Sequence, residues 1–178
     1  MKFPKLPLKT LKKSSVSSLY TAYYQTPIGT AEIVGNEDGI QSISVLDNHV
    51  ATSKETQDIP NELQNCIEQL EEYFNGNRKE FDLKLNPKGT PFQQSVWSEL
   101  LHIPFGKTRS YLEQTKKLGD VKAIRAVASA NGKNPIWIVI PCHRVIGSDG
   151  SLTGYAGGVW RKKWLLEHES GTKQQTLF

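Results

Sequence analysis

The pentapeptide Pro141-Cys142-His143-Arg144-Val145 sets a thiol, an imidazole and a guanidinium side by side. It follows the apolar run Ile136-Trp137-Ile138-Val139-Ile140, which reads as a buried strand or a segment packed under the surface. A thiolate is the reactive form of cysteine, and neighbouring positive charge lowers its pKa. Cys142 is therefore a candidate nucleophile, with His143 and Arg144 as the adjacent cations. Cys66 is a different case. It falls in Asn61–Asn75, where Leu63, Cys66, Ile67, Leu70, Tyr73 and Phe74 recur at helical spacing, so it belongs to the buried face of an amphipathic helix. Cys142 has no periodic partner set of that kind.

The elements that must position this loop divide the chain in two. After a Lys- and Ser-rich leader, Leu19–Gln25, Thr30–Val34 and Gln41–Leu46 read as short strands. They are separated by the turn signals Pro27-Ile28-Gly29 and Asn36-Glu37-Asp38-Gly39. The Asn61–Asn75 helix follows, and Phe81–Leu85 alternates as a further strand would. Asn86-Pro87-Lys88-Gly89-Thr90 is the expected interdomain linker. The second half reads as mostly helical. Phe92, Val96, Trp97, Leu100 and Leu101 define one helix, and Ser110–Leu118 a second stopped by Gly119. A third is capped by Asp120 and runs to about Asn131, with Ile124, Val127 and Ala128 facing inward. Two short helices joined through a glycine match a helix-turn-helix. The third helix carries Lys122 and Arg125 among the small residues Ala123, Ala126, Ala128, Ser129 and Ala130, which permit close approach to another surface. The last helix spans Val159–Glu169, entered through Gly157-Gly158.

The net charge of +4 hides an uneven distribution. Residues 14–90 hold 5 basic against 12 acidic side chains, whereas residues 91–178 hold 12 basic against 6 acidic. The first thirteen residues add five lysines and no acid. A basic half is an electrostatic footprint suited to polyanions. Two cysteines cannot form a disulfide framework, and a reactive thiol is best kept in a reducing compartment. No apolar run has the length of a membrane span, and residues 1–18 lack the apolar core of a secretory signal. The expected location is the cytoplasm, or association with nucleoid or nucleus.

Phe92 to Glu169 resembles the catalytic domain of the O6-alkylguanine-DNA alkyltransferases, also called methylated-DNA–protein-cysteine methyltransferases. The resemblance rests on Phe92-Gln93 with Val96-Trp97, Ser110-Tyr111, Ala123-Ile124-Arg125-Ala126-Val127 and Asn134-Pro135. It continues through Pro141-Cys142-His143-Arg144-Val145-Ile146-Gly147, Gly154-Tyr155-Ala156-Gly157-Gly158 and Leu165-Leu166-Glu167-His168-Glu169. These occur in the family's order and spacing. The resemblance implies an α/β N-terminal ribonuclease-like domain over 19–88 and a mainly α C-terminal domain over 89–170, with a helix-turn-helix and an active-site loop. A basic leader, 1–18, and a tail, 171–178, flank them.

The resemblance also implies roles. Cys142 accepts the alkyl group once per molecule, from an O6-alkylguanine flipped out of double-stranded DNA. His143 deprotonates it through a water, Glu169 orients the imidazole, and Tyr111 gives a proton to the departing guanine. Arg125 fills the gap left by the flipped nucleotide, on a helix that enters the minor groove with Lys122, Ala123, Ala126 and Ser129. Asn134 is the hinge between that helix and the active-site loop. Val145, Tyr155 and Ala156 form the wall and backbone donors of the base pocket. Two positions depart from the family pattern: Ala128 stands where glycine is usual, and Val121 where proline commonly starts the helix. With Cys66 the only cysteine outside the loop, neither a metal nor any other cofactor is expected, and the protein is expected to act as a monomer. Two other classes compete. A non-catalytic damage-binding protein of this fold would lack the cysteine. A cysteine hydrolase using Cys142, His143 and Glu169 would turn over repeatedly and leave Arg125 without a use.

Overall fold

A computed structural model describes residues 17–47 and 59–171. Most of the expected leader and nearly all of the expected tail lie outside the described residues. The N-terminal half is a three-stranded antiparallel sheet, β1 (Tyr20–Thr26), β2 (Gly29–Asn36) and β3 (Gly39–Leu46), in spatial order β1-β2-β3. Tight turns at the two anticipated signals fix its register, pairing Tyr23 with Glu32 and Ile33 with Ile43. Helix α1 (Asn61–Phe74) covers one face with Leu63, Cys66, Leu70 and Tyr73, all buried. The helix is one residue shorter than expected, because Asn75 is its cap.

No strand forms over Phe81–Leu85. Its only ladder contact is a bridge between Leu85 and Ile40. Further back, the Gln69 side chain occupies the place of a neighbouring strand, accepting from Asp82 N at 2.8 Å and donating to Asp82 O at 2.8 Å. A side-chain amide that satisfies both backbone groups leaves nothing for a ladder to pair with.

The C-terminal half is helical. Helix α2 (Pro91–Leu100) starts from a capping box in which Thr90 and Gln93 satisfy each other's backbone, with Pro91 in the first turn. A two-residue strand β4 (Arg109–Ser110) leads into α3 (Tyr111–Lys117), opened by a second capping box between Ser110 and Glu113. Asp120 caps a 3₁₀ turn, Val121–Ala123, which runs into α4 (Ile124–Gly132). The α3–α4 pair is the expected helix-turn-helix. A reciprocal amide pair locks it, Gln114 Nε2 to Asn131 Oδ1 at 2.9 Å and Asn131 Nδ2 to Gln114 Oε1 at 2.7 Å, both buried. Two amides that satisfy each other in the core hold one relative position of the helices. Trp97 Nε1 fastens α2 to the Ala130 carbonyl at 2.8 Å.

Only part of the inward face expected for α4 is inward. Val127 is fully buried, but Ile124 and Ala128 are exposed toward a cavity. The small residues between Ile124 and Ala130 weaken the apolar contrast that would have separated those faces in sequence.

A second 3₁₀ turn (Cys142–Arg144) flows into β5 (Val145–Ile146), which pairs in parallel with β4. Helix α5 (Val159–Ser170) closes the fold. The two halves are stitched by backbone: Ile43 N donates to Pro135 O at 2.9 Å, and Trp137 N donates to Ile43 O at 3.0 Å. Arg161 adds side-chain fastening, donating to Ile28 O and Gly157 O at 2.8 Å each and to Asp47 Oδ1 at 2.6 Å.

Candidate active site

The run 136–140 is not a strand. A single bridge at Ile136 is followed by consecutive turns, in which Ile138 is buried at a φ of 72°. A β-branched residue in the left-handed region is strained, and such positions survive only when the surroundings over-determine them. Here Val139 N bonds Trp137 O at 2.8 Å and Ile140 N bonds Ile136 O at 3.0 Å. Asn134 secures the ends, donating to Ile140 O at 2.7 Å and accepting from Ile136 N at 3.0 Å. The coiled segment sets Cys142 against a cavity of about 460 Å³, lined also by Tyr111, Arg125, Asn131, Tyr155 and Ala156. That volume is in the range of small-molecule sites.

The electrostatics differ from the expectation that His143 and Arg144 would lower the Cys142 pKa. Burial pushes the thiol up, since desolvation disfavours the charged form. Opposing that are a hydrogen bond from Asn134 Nδ2 to Sγ at 3.2 Å and the charge of Lys162. Arg144 is turned away. It donates to Glu169 through both Nε, at 2.8 Å, and Nη2, at 2.9 Å, and to Ile103 O at 2.6 Å. Cys66 is inert by the same measure, with burial alone raising its thiol to about 12.

Glu169 is a buried anion ringed by donors. Oε1 accepts from His143 Nε2 at 2.7 Å, Tyr73 Oη at 2.8 Å and Arg144. Oε2 accepts from Arg144 and from Gly106 N at 3.2 Å. Gly106 sits at a φ of 71°, where an added Cβ would come within 2.9 Å of the Glu169 carbonyl oxygen. Although burial raises its carboxyl, hydrogen bonds and charge from His143 and Arg144 prevail and hold it far below the usual carboxylate range. His143 is fully buried, and desolvation lowers its pKa despite Glu169. The neutral imidazole then carries its proton on Nε2, bonded to Glu169. Nδ1 makes no hydrogen bond within the protein, so its lone pair is free to accept a proton.

Tyr111 donates to Thr153 O at 3.1 Å, and burial followed by the nearby Cys142 charge raises its phenol. Arg125 is exposed at the cavity edge. Ala126 and Ser129 are exposed on the same helix; on the 3₁₀ turn that leads into it, Lys122 is exposed and Ala123 half-buried. Val145 is fully buried in β5 and does not line the cavity.

Two residues of the site escaped sequence reasoning. Lys162 is completely buried, donates to Thr153 O at 3.2 Å and lies 5.7 Å from the Tyr111 ring. Its signal was its place with Leu165 and Glu169 on one buried stripe of α5, where a lysine has no packing reason to be. Tyr73 gave no such signal, because its spacing is that of a core residue.

Residues 19–87 match the family described as 6-O-methylguanine DNA methyltransferase, ribonuclease-like domain. Residues 91–171 match its DNA binding domain. The chain belongs to the 6-O-methylguanine DNA methyltransferase family. It is 44% identical over 153 residues to the methylated-DNA–protein-cysteine methyltransferase of Methanosarcina acetivorans, spanning 85% of this chain and 98% of that one. Against the Mycobacterium tuberculosis protein of the same name identity is 45% over 152 residues, covering 83% and 92%. Among solved structures, the O6-methylguanine methyltransferase of Mycobacterium tuberculosis superposes with a TM-score of 0.76 at 43% identity, covering 86% of this chain and 94% of that one. A crystal structure of the Mycobacterium tuberculosis protein in complex with DNA gives 0.76 at 44%, covering 85% and 92%. The family's two-part architecture, a small antiparallel-sheet domain followed by a helical domain, is the one observed here.

Both His143 and Glu169 have depressed pKa values, so both contribute stability that is present above their unfolded values and lost as pH falls. The loss begins near 6.5 through His143 and resumes below 4.5 through Glu169. Glu169→Gln leaves Arg144 buried without its counter-charge and is expected to cost about 3–5 kcal/mol at neutral pH. Urea denaturation across pH checks both effects: the decline below 4.5 should be smaller in the variant. An unchanged midpoint at neutral pH would contradict the account.

Proposed function

We propose that this protein repairs alkylated DNA by direct reversal, moving the alkyl group from O6 of guanine onto Cys142 in a single turnover. The observation that carries the reading is Cys142 Sγ facing the cavity with an amide donor on it and the His143–Glu169 pair behind. The family relatives, one of them solved with DNA, support it. The two family matches also support a division into a ribonuclease-like unit and a DNA-binding unit meeting near residues 88–90. A reactive thiol suits a reducing compartment, the cytoplasm with its nucleoid or the nucleus, where the DNA substrate lies. No helix among the described residues is long and apolar enough to cross a membrane.

The chemistry follows from the neutral resting site. A buried thiol is a weak nucleophile, so its proton must leave as attack begins. It passes through a water to His143 Nδ1, and Glu169 stabilises the imidazolium that results. The thiolate takes the alkyl carbon, forming the S–C bond as the C–O6 bond breaks. Tyr111, kept protonated by its raised pKa, gives its proton to the departing guanine. The imidazolium proton balances the tyrosinate through solvent, leaving guanine and an alkylated Cys142. The thioether has no easy leaving path, which limits each molecule to one event.

Extrusion of the base is assigned to α4. Arg125, on the rim of the cavity, takes the place of the flipped nucleotide. Ala126, Ala123, Ser129 and Lys122 line the face that approaches the minor groove. Ala128 sets a methyl group on the same rim. The backbone of Tyr155 and Ala156 supplies donors for the guanine edge, and Asn134 links α4 to the loop.

Mixing the protein with a duplex holding one O6-methylguanine should add one methylene to the peptide containing Cys142, once per molecule, by peptide mass spectrometry. Cys142→Ala should take up none. Tight binding without any mass gain would make the protein a damage sensor instead. Arg125→Ala should slow transfer from duplex DNA by at least about tenfold, the loss of one modest flipping interaction, and leave reaction with the free base unchanged. Equal slowing of both would remove its role in extrusion.

A further inference from the structure

Tyr73 lies in the last turn of α1, 95 and 96 positions away from the two residues it holds on α5. Its hydroxyl donates to Glu169 Oε1 at 2.8 Å, and its carbonyl accepts from His168 Nε2 at 2.8 Å. The ring packs against Phe74, Phe81, Phe105 and His168 at centroid distances of 5.1–6.1 Å. A phenylalanine would fill that aromatic cage equally well. The hydroxyl is therefore surplus to packing, and what it adds is a third donor on the oxygen that also meets His143.

We propose that Tyr73 is a positioning residue of the transfer reaction, through which the N-terminal domain sets the proton affinity of His143. This rests on reading Cys142, His143 and Glu169 as the activating relay. A donor on a carboxylate oxygen draws off part of the charge the imidazolium would feel. Removing it concentrates charge on Oε1 and makes Glu169 a stronger partner for protonated His143, whose pKa then rises. The other groups facing the relay are Arg144 and Cys142 on the 3₁₀ turn, Lys162 and His168 on α5, and the Tyr155 phenol. Tyr73→Phe removes no hydrogen bond to any of them and keeps the carbonyl that holds His168. The Tyr73 phenol is itself held well above its ordinary value, first by burial and then by Glu169, so it stays a neutral donor throughout the working range.

The test uses the full chain carrying Tyr73→Phe and two readings of pH dependence: alkyl transfer from O6-methylguanine duplex, and modification of Cys142 by iodoacetamide. The acid limb of both should move up by about half a pH unit, roughly a threefold loss of rate below the limb, with the plateau kept. Phe74→Leu, which loosens the same aromatic cage without touching Glu169, should lower stability and leave the limb in place. Replacing Tyr73 with fluorotyrosine, a stronger donor, should move the limb down and needs no tolerance of a lost hydroxyl. A limb that stays put in both Tyr73 variants, or moves as far with Phe74→Leu, overturns the inference. A shifted iodoacetamide limb in a protein that never transfers an alkyl group would uphold Tyr73's role and defeat the repair reading alone.

Discussion

One buried carboxylate organises this molecule. Glu169, on α5, has donors from three separate places in the chain: Tyr73 on α1, the Gly106 turn, and His143 and Arg144 on the cysteine loop. An uncompensated charge in that position would cost several kcal/mol, on the order of what a small domain has to spare. The fold is obliged to bring all these donors together or leave the charge unmet. That obligation ties α5 to the cysteine loop, and it ties both to the N-terminal sheet domain through Tyr73.

The same constraint determines the chemistry available to the loop. Arg144 meets Glu169 side-on and spends its charge there, so little of it reaches the thiol. His143 is held neutral with its proton on the Glu169 side, which turns Nδ1 into the accepting nitrogen. Cys142 is held as a thiol by burial, moderated by Asn134 and Lys162. In a site built in this way Cys142 and His143 rest uncharged, and the nucleophile is generated only when a proton can move. That suits a protein that can react once and must not lose its cysteine to passing electrophiles. Asn134, which donates to Sγ, lies one residue beyond the Lys133 cap of α4.

Much of this was legible in the sequence, for definite reasons. The β1–β3 meander announced itself because its turns contain Gly and Asn at positions that need them, α2 because its apolar residues recur at helical spacing, and α3 because Gly119 stops it. The cysteine loop was legible because its reactive residues are contiguous. Phe81–Leu85 misled because alternation records which side chains face inward, while the ladder was pre-empted by Gln69. The run 136–140 was legible only as either a buried strand or a segment packed under the surface, because an all-apolar segment looks the same whether it is paired or coiled; the second of the two is what forms. The charge arithmetic around Cys142 misled for a related reason: adjacency in sequence says nothing of where Arg144 points. Tyr73 was illegible outright, since a tyrosine at core spacing looks like packing whether or not its hydroxyl has a partner across the domain boundary.

The measurement closest to the central claim is the nitrogen-15 spectrum of the His143 imidazole through a pH titration of the resting protein. The account requires a neutral ring at neutral pH with Nε2 protonated and Nδ1 bare, titrating below the ordinary histidine value. In Glu169→Gln the preference for that tautomer should weaken. An imidazolium at neutral pH, or a ring protonated on Nδ1, would mean that Glu169 does not prepare His143 to take the proton of Cys142.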